Sequence, residues 1–395
     1  MVLENKILNE AIEILTTLGF VCKSKEVGKI FEDTGQAYFI KENERVLLTP
    51  DLIMNSLSIT PNRDYFIEKY GVPEKSFGGG GTATIMVDKD GTQREPTKED
   101  VVNIMKIAEY FKIPFMFRGV GPIHNEYQDV NQIRWMRDNY SGYIYVYSST
   151  RKGIQAAADE YKNDPRIATC HSIFYSPLSL NDNGTNLEVF KEACRLKTPL
   201  FLTVMPISYT TGPASLYGLA LQAVAENICG IVFAQILQPG IVCIPSAFPL
   251  FGDPRESYRI SFGSVYHQVV NLLCARTFKF MNLPSNQDGC SAGHHYGDDT
   301  EDDVRRSFKG WFNADNWHQV RHCFGFSEEQ MCYSIEQMKR DIAIMESVKE
   351  NNETFEFPEP EYDPEAKDVI WDVCFNFAGN FMDHWHTLKH SIPLE

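Results

Sequence analysis

In the stretch YIYVYSSTRKGIQAAADEYKNDPRIATCHSIFY, residues 143–175, an apolar run is followed by an amphipathic helical pattern and then by a second apolar run. Apolar runs of about 4–8 residues are typical of buried strands, and a longer pattern with apolar residues every three or four positions is typical of a surface helix. Two strands with a helix between them predict a parallel sheet. The stretch therefore predicts the α/β fold class.

The same unit repeats from about Thr97 to Ser327. Strands are predicted at residues 113–120, 143–148, 167–175, 199–205, 241–246, 283–290 and 320–326. The predicted helices between them cover residues 98–110, 126–139, 152–162, 186–195, 215–237, 264–281 and 302–313. This pattern indicates a TIM (β/α)8 barrel, which needs one more parallel strand. That strand is expected either at residues 84–87 or at residues 231–236.

Extensions are expected on both sides of the barrel. Residues 1–82 are predicted to form an N-terminal helical accessory layer, residues 83–350 the barrel domain, and residues 351–395 an acidic proline-rich linker with a C-terminal helix. The glycine run at residues 78–81 precedes a predicted hairpin with its turn at residues 88–91. Because the run lacks the Lys-Ser/Thr pair of a phosphate loop, it is interpreted as backbone that must turn sharply.

The composition excludes several classes of protein. With 53 acidic and 37 basic residues the formal charge is −16, and the absence of a Lys/Arg-rich run argues against nucleic-acid binding. The ten cysteines form no C-x-x-C pair, so reduced and mostly buried thiols are expected. The long apolar segment 216–237 carries Glu226 and Asn227 and is predicted to be a buried helix rather than a membrane span. A cytoplasmic protein with no membrane contact is expected.

Several motifs, taken together in their order, resemble one known family. The main one is GPASLYGLA at residues 212–220, continued by QAVAE at residues 222–226 and closed by QILQPG at residues 235–240. Further motifs are LGF at 18–20, GQ at 35–36, VD at 87–88, REPT at 94–97, SPL at 176–178 and GFSEE at 325–329. With these motifs, the sequence resembles the trimethylamine methyltransferase family over most of residues 1–350.

This resemblance implies a TIM barrel that binds a methylated amine in its mouth and docks a separate corrinoid protein, which carries the cobalamin. The chain shows only standard residues, so it resembles the members without pyrrolysine, several of which act on glycine betaine or other quaternary amines. No tightly bound metal is expected. The chain is expected to form a homo-oligomer. Because cobalt(I) is itself a strong nucleophile, the protein is expected to contribute positioning and electrostatics.

A cation pocket needs aromatic faces at the strand ends, and the histidine-rich loop GCSAGHHY at residues 289–296 adds polar candidates. His294 and Glu226 are the predicted catalytic residues. The predicted substrate-binding residues are Tyr147, Phe174, Tyr209, Phe251, Arg255, His295, Tyr296 and Phe324. Tyr143, Tyr145 and Tyr147 are expected to share one strand face. Core packing is an equal alternative for each aromatic ring, and Arg255 holds either a betaine carboxylate or a neighbouring acid.

Glu226 lies in an apolar helix, where a carboxylate needs a partner. The expected partner is a neighbouring arginine or histidine, with the substrate cation as the alternative.

Two other functions remain open from the sequence. A zinc enzyme of barrel type, either a methyltransferase or a decarboxylase relative, would use His318, His322 and Cys290, although the Glu of an H-E-x-x-H motif is absent. A non-catalytic binder of methylated cations would use the same barrel without turnover.

Overall fold

The structure is a computed structural model that describes residues 2–73, 75–81, 83–118, 126–182, 184–253, 259–260, 262–289, 301–314, 319–327 and 332–376. Its helices are α1 (Val2–Thr17), α2 (Lys25–Glu32), α3 (Pro50–Ile59), α4 (Arg63–Tyr70), α5 (Lys98–Tyr110), α6 (Glu126–Asn139), α7 (Arg151–Asn163), α8 (Gly184–Leu196), α9 (Leu216–Leu237), α10 (Val265–Phe280), α11 (Glu301–Asn313), α12 (Ile335–Glu350) and α13 (Ala366–Asn376).

Its strands are β1 (Phe20–Val21), β2 (Ala37–Ile40), β3 (Arg45–Leu48), β4 (Ser76–Phe77), β5 (Ile85–Val87), β6 (Gln93–Arg94), β7 (Phe115–Phe117), β8 (Tyr143–Tyr147), β9 (Ile167–His171), β10 (Phe174–Tyr175), β11 (Ser179–Leu180), β12 (Leu200–Val204), β13 (Cys243–Ala247), β14 (Gly252–Asp253), β15 (Arg259–Ile260), β16 (Asn286–Asp288), β17 (Gln319–Arg321), β18 (Phe326–Ser327) and β19 (Cys332–Tyr333).

A five-stranded parallel sheet forms the larger part of a half-barrel, in the order β13-β12-β9-β8-β7. In its register Tyr145 lies opposite both Phe117 and Ala168. Tyr143 and Tyr145 lie on one face with ring centroids 5.0 Å apart, which confirms that these two tyrosines of β8 share a face. The Tyr145 ring also stacks on Phe117, at 4.5 Å between centroids. The interior next to β7 and β8 is therefore filled with aromatic rings.

A second parallel sheet contains β16, β17 and β4. The amide of Phe117 donates to the carbonyl of Gly79 over 2.8 Å, so this sheet joins the edge of β7. On its other side β16 lies against β13, and Arg321 of β17 donates to the hydroxyl of Ser246 on β13. The two sheets make a mixed α/β fold with a half-barrel of parallel strands.

Both positions predicted for the eighth parallel strand were wrong. Residues 85–87 form β5, which belongs to a separate sheet with the order β18-β19-β5-β6, and residues 231–236 lie inside α9. Strand β4, which pairs in parallel with β17, precedes the domain boundary predicted at residue 83. The hairpin predicted after the glycine run is confirmed as β5 and β6, with Met86 opposite Arg94.

The glycine run follows β4 because the backbone there passes close to β7. A Cβ atom on Gly78 would lie 2.1 Å from the ring of Phe115. At Gly80, where φ is +75°, a Cβ would lie 2.2 Å from the carbonyl oxygen of Phe117. Only glycine combines this backbone conformation with so close an approach, so the approach to β7 explains the glycine run. The sharp backbone turn stays a prediction.

The N-terminal layer contains strands as well as the predicted helices. Strands β1, β2 and β3 join β10 and β11 in one sheet with the order β10-β11-β1-β3-β2. Arg45 of β3 is buried and donates to the carbonyls of Leu18 and Gly19 over 2.7 and 3.0 Å. Because β10 and β11 come directly after β9, this sheet continues from the layer to the carboxyl end of a barrel strand.

The apolar helix α9 is the central core helix between the barrel and the N-terminal layer. It is the one helix among the described residues with the length and apolarity to cross a membrane, and 94% of its most apolar window is buried inside the protein. It packs against α1, α3, α10 and α13. Its hydrophobicity is accounted for by this burial, as the sequence predicts.

The outer helices begin at polar residues that cap their first turn. Thr97 and Asp100 form a reciprocal capping box at α5. At α7, α10 and α12 the hydroxyls of Thr150, Ser264 and Ser334 each accept a hydrogen bond from a backbone amide of the first turn. After α12, residues 351–365 contain neither helix nor strand. The C-terminal helix predicted within residues 351–395 is present as α13, and the residues after Asn376 lie outside the described chain.

Candidate active site

A cavity of about 630 Å³ lies at the carboxyl ends of the parallel strands. Each strand around it contributes side chains at or just after its last residue. These side chains are Phe117 from β7 and Arg118 after it, Tyr147 from β8, Cys170 from β9, Thr203 and Val204 from β12, Phe248 after β13, and Arg321 and His322 at β17. Substrate sites of barrel enzymes occur at this end of the strands. The cavity is therefore the candidate active site.

One wall of the cavity comes from the turn that leaves β10. Phe174, Tyr175 and Ser176 line the cavity there. The ring of Phe174 packs edge-on against Phe20 of the N-terminal layer, with centroids 5.0 Å apart. This wall thus depends on the layer as well as on the barrel.

Glu226 stabilises this wall through hydrogen bonds to the turn after β10. Its Oε2 accepts a hydrogen bond from the Ser176 hydroxyl over 2.7 Å, and its Oε1 accepts from the Leu178 amide and from Gln222 Nε2 over 3.0 and 2.9 Å. Burial raises the pKa of the Glu226 carboxyl to about 7, although these three hydrogen bonds act in the opposite direction. All three donors are neutral, so the arginine or histidine partner expected from the sequence was wrong. The side chain supports the cavity wall and does not itself line the cavity.

Arg118 lies in the wall between β7 and β8. Its Nη1 donates to Asp129 over 2.7 Å and to the carbonyl of Tyr147 over 2.5 Å, and its Nε donates to Gln132 over 2.5 Å. Asp129 in turn accepts from Ser148 over 2.6 Å. Burial lowers the pKa of the guanidinium, and the charge of Asp129 opposes this effect. An arginine stays charged at any physiological pH, so the cavity wall carries a fixed and buried cation.

A second guanidinium lies among the aromatic rings of the cavity floor. The central carbon of Arg321 is 5.9, 5.3 and 4.8 Å from the ring centroids of Phe117, Phe201 and Phe248. Its Nη1 also donates to the Asn286 carbonyl over 2.9 Å. Three of the aromatic rings that line the cavity thus already contact a cation of the protein itself.

Beside this cation, Asp288 lies between two histidines. His322 Nδ1 is 2.5 Å from Asp288 Oδ1, and His267 Nε2 is 3.1 Å from Asp288 Oδ2. Burial would raise the pKa of Asp288, but the charge and hydrogen bonds of the histidines outweigh it and hold this pKa well below its usual range. Burial lowers the pKa of His322. The Asp288 carboxylate is therefore placed to accept a hydrogen bond from His322 Nδ1 and so to orient its imidazole ring.

The sequence-based candidates are distributed unevenly. Tyr147, Phe174 and the weak metal candidate His322 line the cavity. Tyr209 and Phe251 pack against each other at 6.0 Å between centroids and are not among the lining residues. Phe324 stacks on Phe308 in the hydrophobic core. The remaining candidates, His294, His295, Tyr296, Arg255, His318 and Cys290, lie outside the described residues.

Reasoning from sequence missed the two arginines and Asp288. A usable signal was present for Asp288 and Arg321, because Asn286 and Asp288, and likewise Gln319 and Arg321, alternate within short buried strands. Alternate residues of a strand point to the same side, so polar residues at both positions indicate a polar barrel interior. Arg118 follows the apolar run of β7 directly, and nothing in the local pattern sets it apart.

Comparison with known proteins identifies the family of this chain. Residues 152–391, more than half of the chain, match the family model described as trimethylamine methyltransferase (MTTB). A glycine betaine methyltransferase of Desulfitobacterium hafniense (strain Y51) is 22% identical over 98% of this chain and 82% of its own length. Trimethylamine methyltransferase MttB of Methanosarcina thermophila is 23% identical over 86% of this chain and 74% of its own length.

Among solved structures, a truncated form of 3-deoxy-D-arabino-heptulosonate 7-phosphate synthase from Thermotoga maritima aligns with a TM-score of 0.41 and 10% identity, over 70% of this chain and 87% of that chain. The match to the family model and the two methyltransferase relatives decide the assignment. The chain belongs to the trimethylamine methyltransferase family and is a methyltransferase.

Proposed function

We propose that this chain transfers a methyl group from a methylated amine to the cobalamin of a partner corrinoid protein. The amine is a quaternary ammonium such as glycine betaine, or a tertiary amine. The cavity at the strand ends carries the proposal, because it is lined by aromatic rings and is large enough for a small amine. The names of the two relatives, one a glycine betaine methyltransferase and one a trimethylamine methyltransferase, support the substrate class.

The proposal includes one closed (β/α)8 barrel made of all eight parallel strands. Contacts across the interior support closure. The hydroxyl of Tyr145 on β8 donates to Gln319 on β17 over 2.5 Å. Asn286 on β16, the strand paired with β17, donates to the same Gln319 oxygen over 3.0 Å and holds it in place. In a closed barrel side chains from opposite strands meet in this way.

We place the substrate cation next to the aromatic rings of the cavity that Arg321 does not contact. Arg321 already contacts Phe117, Phe201 and Phe248. The other lining rings are Tyr147, Phe174 and Tyr175. Each aromatic face stabilises a desolvated ammonium by roughly 0.5–2 kcal/mol. Tyr147 and Phe174 are therefore the proposed cation-binding residues.

The corrinoid supplies a strongly nucleophilic cobalt that accepts the methyl group. In the described part of the chain no group of three His, Cys, Asp or Glu side chains is placed to hold a metal ion. The carbon–nitrogen bond breaks with its electron pair on nitrogen, so a quaternary ammonium leaves as a neutral tertiary amine without any proton transfer. The residues of this chain are left to bind the amine, orient one methyl group toward the mouth and exclude water.

Glu226 enters this proposal as a positioning residue, because it reaches the cavity only through Ser176 and the Leu178 amide. His294, the other catalytic residue predicted from the sequence, remains a proposal, and so do the cytoplasmic location and the homo-oligomer.

The test is methyl transfer to free cob(I)alamin, followed by the absorbance change of the cobalt. The donors are glycine betaine, choline, tetramethylammonium and trimethylamine. Transfer from at least one donor is expected, and it should require the folded enzyme. If neither free cob(I)alamin nor a corrinoid protein accepts a methyl group from any of the four, the proposal is wrong.

A further inference from the structure

The lining of the cavity carries positive charge and no carboxylate. Among the described lining residues Arg118, Arg321 and His322 are basic, and none is an aspartate or a glutamate. A methylammonium group in this cavity would therefore meet two guanidinium groups of its own sign. Within the described part of the chain, a negative charge that favours the substrate has to lie behind the lining.

Glu226 is the buried acid placed to supply that charge. Asp129 is paired with the guanidinium of Arg118 at 2.7 Å, and Asp288 is held between two histidines. The three donors to Glu226 are instead a hydroxyl, a backbone amide and a side-chain amide, all of them neutral. An ionised Glu226 therefore keeps a negative charge that no hydrogen-bonded cation balances.

The Ser176 hydroxyl connects this charge to the cavity. Ser176 lines the cavity two residues after Phe174, one of the rings proposed to hold the cation. Its hydroxyl proton is donated to Glu226 Oε2 over 2.7 Å, so the lone pairs of its oxygen are left to accept. A hydroxyl that donates to a carboxylate is also a stronger acceptor, because linked hydrogen bonds polarise each other. The wall next to Phe174 thus offers a partly negative oxygen to a cation.

We infer that the Ser176 oxygen is the polar contact of the substrate's ammonium group, and that Glu226, one hydrogen bond further in, supplies the negative charge that stabilises it. The inference rests on the proposed function and deepens it, because it assigns the side of the cavity on which the cation lies. When Glu226 is protonated, its charge is lost and its own O–H donates to the Ser176 oxygen. The Ser176 proton then points away from Glu226 and opposes a cation. Cation affinity is therefore coupled to the ionisation of Glu226.

The groups around Glu226 keep their charge state near neutral pH. The thiols that feel its charge are Cys229 on α9 and Cys374 on α13, and burial raises the pKa of both, that of Cys374 to about 12. Arg45 of β3 lies beside both thiols and stays charged. Across the cavity, burial lowers the pKa of His322. Because burial raises the pKa of Glu226 to about 7, cation affinity should rise as the pH increases toward this value and stay high above it.

The experiment measures dissociation constants of the full chain by isothermal titration calorimetry from pH 5.5 to pH 8.5. The ligands are choline and glycine betaine, whose positive charge does not titrate, and 3,3-dimethylbutan-1-ol, which has the shape of choline without its charge. At least one of the two cations should bind roughly tenfold more tightly at pH 8.5 than at pH 5.5, and the neutral alcohol should bind equally at both. Glu226→Gln should remove this gain, and Ser176→Ala should reduce it and weaken cation binding at pH 8.5.

Asp341→Asn and Ser179→Ala are the matched controls. Asp341 is a buried acid whose pKa burial also raises to about 7, away from the cavity lining. The Ser179 hydroxyl donates to the Pro177 carbonyl over 2.9 Å in the same turn as Ser176. Both variants should keep the wild-type pH dependence.

Three results with the wild type would overturn the inference, even if the Glu226 and Ser176 variants do not fold. They are cation affinities that stay constant with pH, an equal gain for the neutral alcohol, and binding of neither cation. A pH-dependent affinity for the cation alone, without any methyl transfer, would instead count against the proposed function and leave the role of Ser176 intact.

Discussion

The substitution Glu226→Gln tests whether the buried carboxyl beneath the cavity wall controls the pH dependence of stability. Its pKa is raised from the ordinary 4.5 to about 7 by burial. At about 1.4 kcal/mol for each pKa unit, ionising this group in the folded chain costs about 3 kcal/mol. Between about pH 4.5 and pH 7 the folded chain keeps a proton that the unfolded chain has lost. The contribution of this group to stability therefore falls as the pH rises through that window and stays low above it.

The side chain of the glutamine variant does not titrate, so the variant does not lose stability through this position as the pH rises. Its amide oxygen can still accept from Leu178 and Gln222, and its nitrogen can donate to the Ser176 hydroxyl. The amide adds a difference in stability that does not depend on pH. The free energy of unfolding of the variant minus that of the wild type should therefore increase by up to about 3 kcal/mol between pH 5 and pH 8.5. For a chain of 395 residues this corresponds to a relative gain of about 4 °C in Tm.

The assay is urea denaturation of both proteins at half-unit steps of pH, with Tm values as a second readout. Asp341→Asn is the comparison variant, because burial also raises the pKa of Asp341 to about 7 and its carboxylate accepts from the Gly325 amide and Gln337, away from the cavity lining. Both variants should show the same trend in stability, but only Glu226→Gln should change the pH dependence of ligand binding. Stability curves of wild type and Glu226→Gln that run parallel from pH 5 to pH 8.5 would refute the reasoning.

Three further substitutions probe the cavity and the elements that build it. Tyr147→Leu should weaken binding of a quaternary ammonium by roughly 0.5–2 kcal/mol in calorimetric titrations, whereas Tyr209→Leu, outside the lining, should not; equal losses would remove Tyr147 from the site. Gly80→Ala should destabilise the chain by roughly 1–3 kcal/mol in denaturant titrations, because its Cβ would meet the Phe117 carbonyl at 2.2 Å, and an unchanged midpoint would contradict the close approach. Thr97→Ala should cost about 1 kcal/mol in the same titrations by removing the capping box of α5, with Thr92→Ala, outside that box, as the control.

The parts of the fold that depend on local pattern were predictable from the sequence. The apolar runs at 143–148 and 199–205 correspond to β8 and β12, and the shared face of Tyr143 and Tyr145 follows from the alternation of side chains along a strand. The hairpin after the glycine run was also correct. These features are set by residues within a few positions of one another, so the order of residues is sufficient to show them.

Strand β4 was not predictable, because it has two residues and owes its conformation to pairing with β17 and to the close approach of Gly78 to Phe115. Sequence reasoning located one edge of the cavity, at Tyr147 and Phe174, but missed the charges in it. Glu226 was singled out as a buried carboxylate, and its partners turned out to be a hydroxyl and two amides.

By itself, the order of residues determined that this chain builds parallel strands and helices in alternation, and its motifs were sufficient to place it in its family. Only the tertiary structure decided which charges meet at the mouth of the strands. Arg118 pairs with Asp129 of α6, and Arg321 contacts Ser246 of β13 and Asp288 of β16. Contacts of this kind join residues of different secondary-structure elements, and their strength depends on burial, which exists only once those elements have packed together.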